Sequence, residues 1–440
     1  MDVGNLEDVK RIYFVPAGGY GLSKGVPRYL AACLGTCVGV GLVDKRKKVG
    51  ALAHVIIPSK CGEIEAEASL CAAEVVPFLL EKLIAAGATR ENLVAGVAGG
   101  LSFDGGWVNH YGALSLSFIK NSLKEIEIPI VFLETMEHLN ASFVLDIARA
   151  RFFCKDLFGE YLPESSSKAV EYPRIEEAIN TLRPLSSVVL RIIELLGSVN
   201  FKITEVVEEI KKDEVMIARL LKICNSAMFS PAKRIDSVEK AIIFLGSRNL
   251  LKIVFSAYVE EFLGEDKGYS LRRNGMYNHS MVVGFISELL GREVDIAPDV
   301  AYTYGMLHDI GKKVLDVFAS RQKKNLYSEL VKGRNLLEVE RELFQIDHCE
   351  AGKILASKWN FPSELKEVIA HHHNPMEDNS LYTKVVYLAD VMANHFFSGH
   401  IIDETSIKYF DETLDLLGLS YSHLQELMKQ IPYKRLAYEE

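Results

Sequence analysis

The spacing of apolar residues changes near residue 160, and this change constrains the fold more than any other feature of the chain. Before it, residues 38–43 and 49–57 are rich in branched side chains and flank a charged turn, which predicts a β-hairpin. After it, apolar residues recur at helical spacing, as in the stripe that begins at Leu185. The first part of the chain is therefore expected to mix strands with helices, and the second part to be helical.

The change falls in a segment that predicts a linker. Residues 159–174 include two prolines and three consecutive serines, and their apolar spacing is weak. We therefore expect an α+β sandwich domain at residues 1–158, followed by an all-α domain at residues 175–440. A chain of 440 residues is long for a single hydrophobic core, which also favours two domains.

Charge and composition exclude some classes of function. The formal net charge is −9, whereas contacts with nucleic-acid phosphates need a surplus of lysine and arginine, so we expect no nucleic-acid partner. The longest weakly polar run, residues 29–43, is shorter than the roughly 20 residues that span a bilayer, so we expect no membrane insertion. The seven cysteines show no paired spacing, and residues 1–11 do not resemble a secretory signal. We therefore expect reduced thiols and a cytoplasmic location.

Histidines and aspartates on the predicted helices form the most informative pattern. Nine of the twelve histidines follow residue 270, and several share a helix face with apolar residues. A single buried histidine is usually a hydrogen-bonded core residue. Buried carboxylates beside neutral imidazoles are costly, however, and a divalent metal ion would offset that cost. The residues that predict a metal site together are His279, His308, Asp309, His348, His372, His373 and Asp390.

Four of these residues follow the order of a known family. His279, the adjacent pair His308 and Asp309, and Asp390 match the H…HD…D pattern of the HD superfamily of metal-dependent phosphohydrolases, which this region resembles. The resemblance implies that these four residues hold one divalent transition-metal ion, such as Fe, Mn, Zn, Co or Ni. It also implies an all-α HD-superfamily fold for the second domain.

The remaining histidines match the two-metal members of that superfamily. By the same resemblance, Asp309 bridges to a second ion held by His348, His372 and His373, and Lys312 faces a substrate phosphate. Asp309 and Lys312 are thus the implied catalytic residues of a phosphohydrolase, which would use two ions to hydrolyse a phosphate ester. The Gly-Tyr-Pro element of the cyclic-di-GMP phosphodiesterases is not found after the last of these histidines, so that substrate is not implied.

Segments upstream of the histidines resemble a narrower group, the HDOD domains. The resemblance covers roughly residues 175–400 and is carried by residues 182–185, 218–221, 225–229 and 237–246. HDOD domains are commonly signalling or interaction modules, and many lack the metal-binding residues that this chain retains. A non-catalytic scaffold with a vestigial or structural metal site is therefore the alternative to a phosphohydrolase.

Cys37 and His54 lie near the open end of the predicted hairpin. A thiol beside an imidazole is able to act as a nucleophile, although a buried cysteine near an incidental histidine is more common. Residues 34–37, 49–54 and 98–100 occur in the order typical of the chemoreceptor glutamine deamidases (CheD), which residues 10–154 resemble. The resemblance implies that Cys37 is the nucleophile and His54 the base in converting receptor glutamine to glutamate.

The chain departs from the CheD pattern at two places. Ala31 occupies the position where the family usually has a catalytic threonine, and residues 135–140 replace a turn rich in glycine and asparagine. A CheD-like binding domain with weak catalysis is therefore an alternative to an active deamidase. Together, the resemblances imply a bacterial signal-transduction protein. Its implied partners are signalling proteins, such as a chemoreceptor or a response regulator, and a small phosphorylated or nucleotide ligand.

Overall fold

A computed structural model describes most of the chain. The described residues are 12–58, 71–100, 106–135, 141–156, 175–183, 185–196, 203–225, 234–264, 266–397, 401 and 406–431. They fall into two compact units, one within Met1–Glu164, Tyr327–Arg334 and Val391–Glu440, and the other within Ser165–Leu326 and Asn335–Asp390. The predicted linker at 159–174 lies outside the described residues, so the predicted domain bounds stay a prediction.

The first unit contains two β-sheets. One sheet has the order β1-β3-β8-β9 and the other has the order β2-β5-β4-β6-β7. The strands are β1 (Ile12–Phe14), β2 (Tyr20–Ser23), β3 (Tyr29–Leu34), β4 (Val38–Asp44), β5 (Val49–Val55), β6 (Leu93–Gly99), β7 (Ile130–Glu134), β8 (Ala141–Asp146) and β9 (Arg151–Lys155). The predicted α+β fold with two sheets is confirmed.

Strands β4 and β5 form the predicted hairpin. They pair antiparallel from Val38 opposite Val55 to Asp44 opposite Val49. Glycines allow close approach between the two sheets, and a Cβ atom at Gly96, for example, would lie 2.3 Å from the ring of Phe152. The aromatic ring therefore fills the space that a side chain would take.

Helices complete the first unit. The helices α1 (Val75–Ala85) and α2 (Gly106–Glu125) follow β5 and β6 in the chain, and a 3₁₀ turn at Arg90–Asn92 precedes β6. Leu79 and Leu83 of α1 and Ile119 of α2 are buried in one apolar cluster with a face of β4, β5 and β6. Cys71 is disulfide-bonded, so the expectation that all seven cysteines are reduced thiols is wrong at this position.

The second unit is helical, as predicted. The helices from residue 175 onward are α3 (Ile175–Thr181), α4 (Ser187–Leu196), α5 (Ile203–Ile210), α6 (Glu214–Cys224), α7 (Val238–Leu245), α8 (Ser247–Leu263), α9 (Gly275–Glu293), α10 (Pro298–Leu307), α11 (Ile310–Val331), α12 (Leu336–Phe344), α13 (His348–Lys358), α14 (Ser363–His371), α15 (Leu381–Phe396), α16 (Phe410–Leu416) and α17 (Tyr421–Gln430). Short 3₁₀ turns lie at Pro375–Glu377 and Ile407–Tyr409.

Some of the helices after residue 175 belong wholly or partly to the first unit. The C-terminal end of α11, the last residues of α15, and both α16 and α17 belong to it. The helix α15 is thus assigned to the second unit up to Asp390 and to the first unit from Val391.

No individual helix among the described residues has both the length and the apolar composition needed to cross a bilayer. One sharply bent pair, Val238–Leu245 with Asn249–Leu263, meets both criteria only when its two helices are taken together.

Candidate metal centre

Seven histidine and aspartate side chains converge in the second unit. One comes from the N-terminal part of α9, two from the junction of α10 and α11, one from the start of α13, two from the segment after α14, and one from α15. Each is at most 8% exposed to solvent. The residues are His279, His308, Asp309, His348, His372, His373 and Asp390. The structure therefore brings together all the predicted metal ligands.

Four of these side chains surround one point. His279 Nε2 lies 2.9 Å from Asp390 Oδ1 and 3.6 Å from Asp309 Oδ2. His308 Nε2 lies 3.4 Å from Asp309 Oδ2 and 3.7 Å from Asp390 Oδ1. Ligand atoms that each lie about 2.0–2.2 Å from one ion are roughly 3–4 Å from one another. This group therefore has the spacing of a metal site, and His279, His308 and Asp390 lie close enough together to share an ion.

The other carboxylate oxygen of Asp309 faces a second group. Asp309 Oδ1 lies 3.4 Å from both His348 Nε2 and His372 Nε2. His348 Nε2 is in turn 3.4 Å from His372 Nε2 and 3.0 Å from His373 Nε2. Asp309 therefore turns one oxygen toward each of two ligand groups, as a bridging carboxylate does.

The hydrogen bonding of the buried atoms tests whether a cation fits this site. Within the described part of the chain, His279 Nε2, His308 Nε2 and Asp309 Oδ1 are buried and make no acceptable hydrogen bond. Buried polar atoms without partners are costly and rare in native proteins. All three atoms point into the two groups, where coordination to a cation would satisfy them. The residues therefore fit divalent metal ions.

Main-chain carbonyls fix the orientation of two of the histidines. His308 Nδ1 lies 2.7 Å from the carbonyl oxygen of Gly305, and His372 Nδ1 lies 3.0 Å from that of Ile369. An Nδ1–H group that donates to a carbonyl leaves the Nε2 lone pair for a metal ion. Both Nε2 atoms point into the ligand groups, as this arrangement requires.

His348 is oriented by a carboxylate that was not predicted from the sequence. Glu340 on α12 is fully buried, and its Oε2 lies 2.7 Å from His348 Nδ1 and 2.9 Å from the backbone nitrogen of the same residue. The hydroxyl of Tyr269 donates to its other oxygen at 2.5 Å. The available sequence signal was an acidic residue at a core position of an amphipathic helix, eight residues before His348.

Electrostatic interactions favour the charged forms of His308, His372 and Asp309. Burial lowers the pKa of His308, but the Asp309 carboxylate outweighs it and raises that pKa to about 9. The pKa of His372 is raised to about 10 against the effect of burial, by Cys349 and by Asp309. Burial favours the protonated form of Asp309, yet the neighbouring positive charge of His308 holds its pKa well below the usual range. A bound cation would take the place of these imidazole protons.

Lys312 pairs with the bridging carboxylate Asp309 in this structure. Its ammonium group is fully buried, lies 2.7 Å from Asp309 Oδ2 and is 5.9 Å from the centre of the Tyr269 ring. The charge of Lys312 thus pairs with the bridging carboxylate in this structure. Its predicted role beside a substrate phosphate stays a prediction.

Cys349 is a further member of the cluster that sequence reasoning missed. Its Sγ lies 3.8 Å from His372 Nδ1, and it could hold an ion together with His348, His372 and His373. Burial raises the pKa of the thiol, but the positive charges of His372 and His348 outweigh it, so that its pKa is lowered overall. A thiol next to a predicted histidine ligand carries no sequence signal that separates it from a core cysteine.

Close packing of α11 against α13 brings Asp309 near His348. A Cβ atom at Gly311 would lie 1.8 Å from the carbonyl oxygen of His348, and one at Gly352 would lie 3.2 Å from the Gly311 nitrogen. The absence of side chains at these two positions lets the backbones approach. Gly311, which follows His308 and Asp309 in the sequence, therefore has a packing role at the metal centre.

In the first unit, the predicted CheD-like residues lie at the end of the β4–β5 hairpin. His54 pairs with Gly39 in the strand register, two residues from Cys37. The thiol of Cys37 donates to the carbonyl oxygen of Phe396 at 3.4 Å, and burial strongly raises its pKa. Cys37 is therefore a neutral thiol in this structure. The turn predicted at 135–140 lies outside the described residues except for residue 135.

Comparison with known proteins assigns both parts of the chain. Residues 182–375 match the family model of the HDOD domain. The N-terminal region is 34% identical over 114 residues to a Methanococcus vannielii protein named "Probable chemoreceptor glutamine deamidase CheD", and the alignment covers 26% of this chain and 73% of that protein. The chain belongs to the CheD family. It also carries an HDOD domain, and both predicted resemblances are confirmed.

Two further relatives extend the comparison. An uncharacterized protein of Treponema pallidum is 26% identical over 223 residues, and the match covers 48% of this chain and 42% of that protein, so this CheD-family chain spans less than half of that relative's length. A crystal structure of an HDOD domain protein with unknown function from Geobacter sulfurreducens is 23% identical, with a TM-score of 0.48, and covers 60% of this chain and 99% of that one.

Proposed function

We propose that the HDOD domain of this chain is a metal-dependent phosphohydrolase with a centre for two divalent ions. The observation that carries the proposal is the position of Asp309, whose two carboxylate oxygens each face a separate group of histidines. Such a shared carboxylate is typical of two-metal hydrolytic sites. A single structural ion would need only one of the two groups.

The ligands divide between the two ions. His279, His308, Asp309 Oδ2 and Asp390 would hold one of them, and Asp309 Oδ1 would hold the other together with the histidines of the second group. Divalent ions in such a site would supply Lewis acidity and a source of hydroxide at neutral pH. The mixed imidazole and carboxylate set suits Fe, Mn, Zn, Co or Ni rather than Ca.

Two buried side chains, Glu340 and Lys312, orient a ligand and place a positive charge at this site. Glu340 holds the proton of His348 at Nδ1, so that Nε2 faces the second group. Lys312 places a buried ammonium group beside Asp309, where it would stabilise the negative charge of a phosphate ester entering the site. The expected substrate class is therefore a small phosphorylated compound or a nucleotide.

One observation favours a second function, a signalling scaffold with a structural metal site. His308, His348, His372 and Asp390 are all fully buried, whereas a hydrolase must admit its substrate. A metal ion that only stabilises the HDOD domain at residues 182–375 would leave the surface of that domain free to bind a signalling partner.

The CheD-like region supports a binding role more than a catalytic one. Ala31 lies fully buried in β3 and offers no hydroxyl, and the buried Cys37 is a neutral thiol. An activated nucleophile needs a lowered pKa or an adjacent base in contact with it. We therefore propose that this region, with Cys37 and His54, recognises a signalling protein such as a chemoreceptor, and that glutamine deamidation is the weaker alternative.

A phosphatase assay with reconstituted protein tests the main proposal. The full chain loaded with Mn, Fe or Zn should hydrolyse p-nitrophenyl phosphate or bis-p-nitrophenyl phosphate, and Asp309→Asn should reduce the rate roughly 100-fold. Asp316→Asn provides a matched control, because this carboxylate accepts backbone N–H groups elsewhere in the same unit. A protein that binds two ions yet turns over neither substrate would overturn the hydrolase proposal in favour of the scaffold.

A further inference from the structure

The C-terminal end of α15 covers the turn that carries Cys37. Both segments belong to the first compact unit. The thiol of Cys37 donates to the carbonyl oxygen of Phe396 at 3.4 Å and lies 3.7 Å from that of His395. The preceding residue, Thr36, donates to the carbonyl oxygen of His395 twice, through its backbone N–H and through its hydroxyl, each at 3.2 Å.

Through these hydrogen bonds, the turn between β3 and β4 supplies donors to the last carbonyl groups of α15. The last carbonyl groups of an α-helix have no partner within the helix and must find donors elsewhere. α15 ends at Phe396, so the carbonyls of His395 and Phe396 are among these groups. Thr36 and Cys37 supply the donors, and the helix end is thereby fixed on the turn.

Aromatic side chains pack beside the contact between α15 and the Cys37 turn. The rings of Phe396 and Tyr111 meet edge to face, with their centroids 5.8 Å apart. Phe396 is 1% exposed and Phe397 5%, and Cys37 itself is 2% exposed. A reagent therefore has no open path to the sulfur atom while the helix end is in place.

The geometry of the donors indicates what kind of group the turn binds. A backbone N–H beside a cysteine thiol is the arrangement that binds the carbonyl oxygen of a substrate in acyl-transfer sites. In this chain, the carbonyl oxygen of His395 occupies the backbone N–H of Thr36, and the neighbouring carbonyl occupies the thiol. The contact thus resembles a bound peptide rather than an accidental core contact.

We propose that the turn at Thr36 and Cys37 is a carbonyl-binding site, and that the C-terminal end of α15 is its built-in occupant. The helix end closes the site, and a peptide carbonyl or side-chain amide of a partner protein gains access only when residues 394–397 withdraw. The strongly raised pKa of the buried thiol agrees with a closed resting state. The proposal does not depend on phosphohydrolase activity in the HDOD domain.

Thiol labelling of the full chain tests this closure. The native protein is treated with iodoacetamide, and each cysteine is followed by peptide mass spectrometry. Cys37 should react far more slowly than the half-buried Cys154. Thr36→Val removes one donor to the helix end and should raise the Cys37 rate roughly 3–10-fold, and Phe396→Ala should raise it further.

Internal references separate local opening from unfolding. Cys33 is buried in the same unit, in strand β3 opposite Ser142, and reports global opening. Ser142→Ala is a matched control. It removes a hydroxyl that contacts Cys33 but no donor to the C-terminal end of α15. The proposal expects Cys37 labelling to rise in the first two variants while Cys33 labelling stays unchanged. Equal increases at both cysteines, or an unchanged Cys37 rate in both variants, would overturn it.

Discussion

At the scale of single residues, the metal centre depends on a carboxylate that is not one of the proposed ligands. Glu340 accepts hydrogen bonds from His348 and Tyr269 and is fully buried. Such outer partners fix the tautomer and the ring orientation of a ligand histidine. The hydrogen bonds that fix the site therefore include residues beyond the ligands that the sequence pattern identified.

Replacing Glu340 should weaken metal binding without removing a ligand. We expect Glu340→Gln to lower the metal affinity about 10–100-fold, because the amide is a poorer acceptor for the imidazole proton. Competition with a fluorescent chelator measures this affinity. Glu338→Gln, at an exposed position of the same helix, is the control. Equal affinities in the two variants would contradict the orienting role.

A second buried carboxylate, Asp44, stabilises the turn of the β4–β5 hairpin. Its oxygens accept the backbone N–H groups of Arg46 at 2.8 Å, Lys47 at 2.9 Å and Thr89 at 2.8 Å. Burial favours its protonated form, but these three bonds outweigh that effect and lower its pKa. A lowered pKa means that the ionised form stabilises the folded state.

The stability of the first unit should therefore depend on pH through Asp44. The contribution is fully present above the unfolded pKa of about 4 and is lost as the pH falls through the lower, folded value. We expect Asp44→Asn to cost about 1–3 kcal/mol at pH 7 and progressively less in acid. Urea unfolding at several pH values measures the difference. A difference between variant and wild type that grows toward low pH would contradict this assignment.

At the scale of helices, the approach of α11 to α13 sets the distance between Asp309 and the second histidine group. Gly311→Ala places a methyl group against the carbonyl oxygen of His348 and should force the helices apart. We expect a loss of about 1–3 kcal/mol in the free energy of unfolding, together with weaker metal binding. Thermal unfolding and chelator competition measure the two effects.

Lys313→Ala is the control for this substitution, because it alters the same turn of α11 two residues after the glycine. A Gly311→Ala protein with wild-type stability and metal affinity would show that the two helices have room for a methyl group, contrary to the prediction.

Local sequence signals predicted the elements better than their long-range partners. The branched residues around Asp44 predicted the hairpin, and the apolar spacing from Leu185 predicted a helical second part. Nothing local indicates that β1 pairs parallel with β3, or that residues 391–431 pack with the first unit, because such contacts join distant parts of the chain. The helix end over Cys37 was missed for this reason.

The metal centre was predictable to the extent that its residues share a recognisable order. His279, Asp309 and Asp390 come together from distant parts of the chain, and only the resemblance of their order to a known pattern linked them. Glu340 and Cys349 belong to no such pattern. Glu340 gave one local signal, an acidic residue at a core position of its helix, but nothing local linked it to His348, and Cys349 gave no signal that separates it from a core cysteine.

At the scale of the whole molecule, metal binding should stabilise one unit selectively. All the proposed ligands lie in the second compact unit. An ion that binds the folded state at 100 times its Kd adds about 2.7 kcal/mol to the free energy of unfolding. We therefore expect calorimetry to show a raised Tm for this unit, reversed by a chelator and absent in Asp309→Asn. An equal metal-induced shift in that variant would place the binding elsewhere.

The central claim, a centre for two ions built around Asp309, is tested most directly by the metal content of the purified chain. Mass spectrometry of protein reconstituted with Mn, Fe or Zn should find about two ions per chain, and the content should fall sharply in Asp309→Asn, because both groups lose their shared ligand. Little or no bound metal in the wild-type protein, or an unchanged content in the variant, would contradict a two-ion centre at this carboxylate.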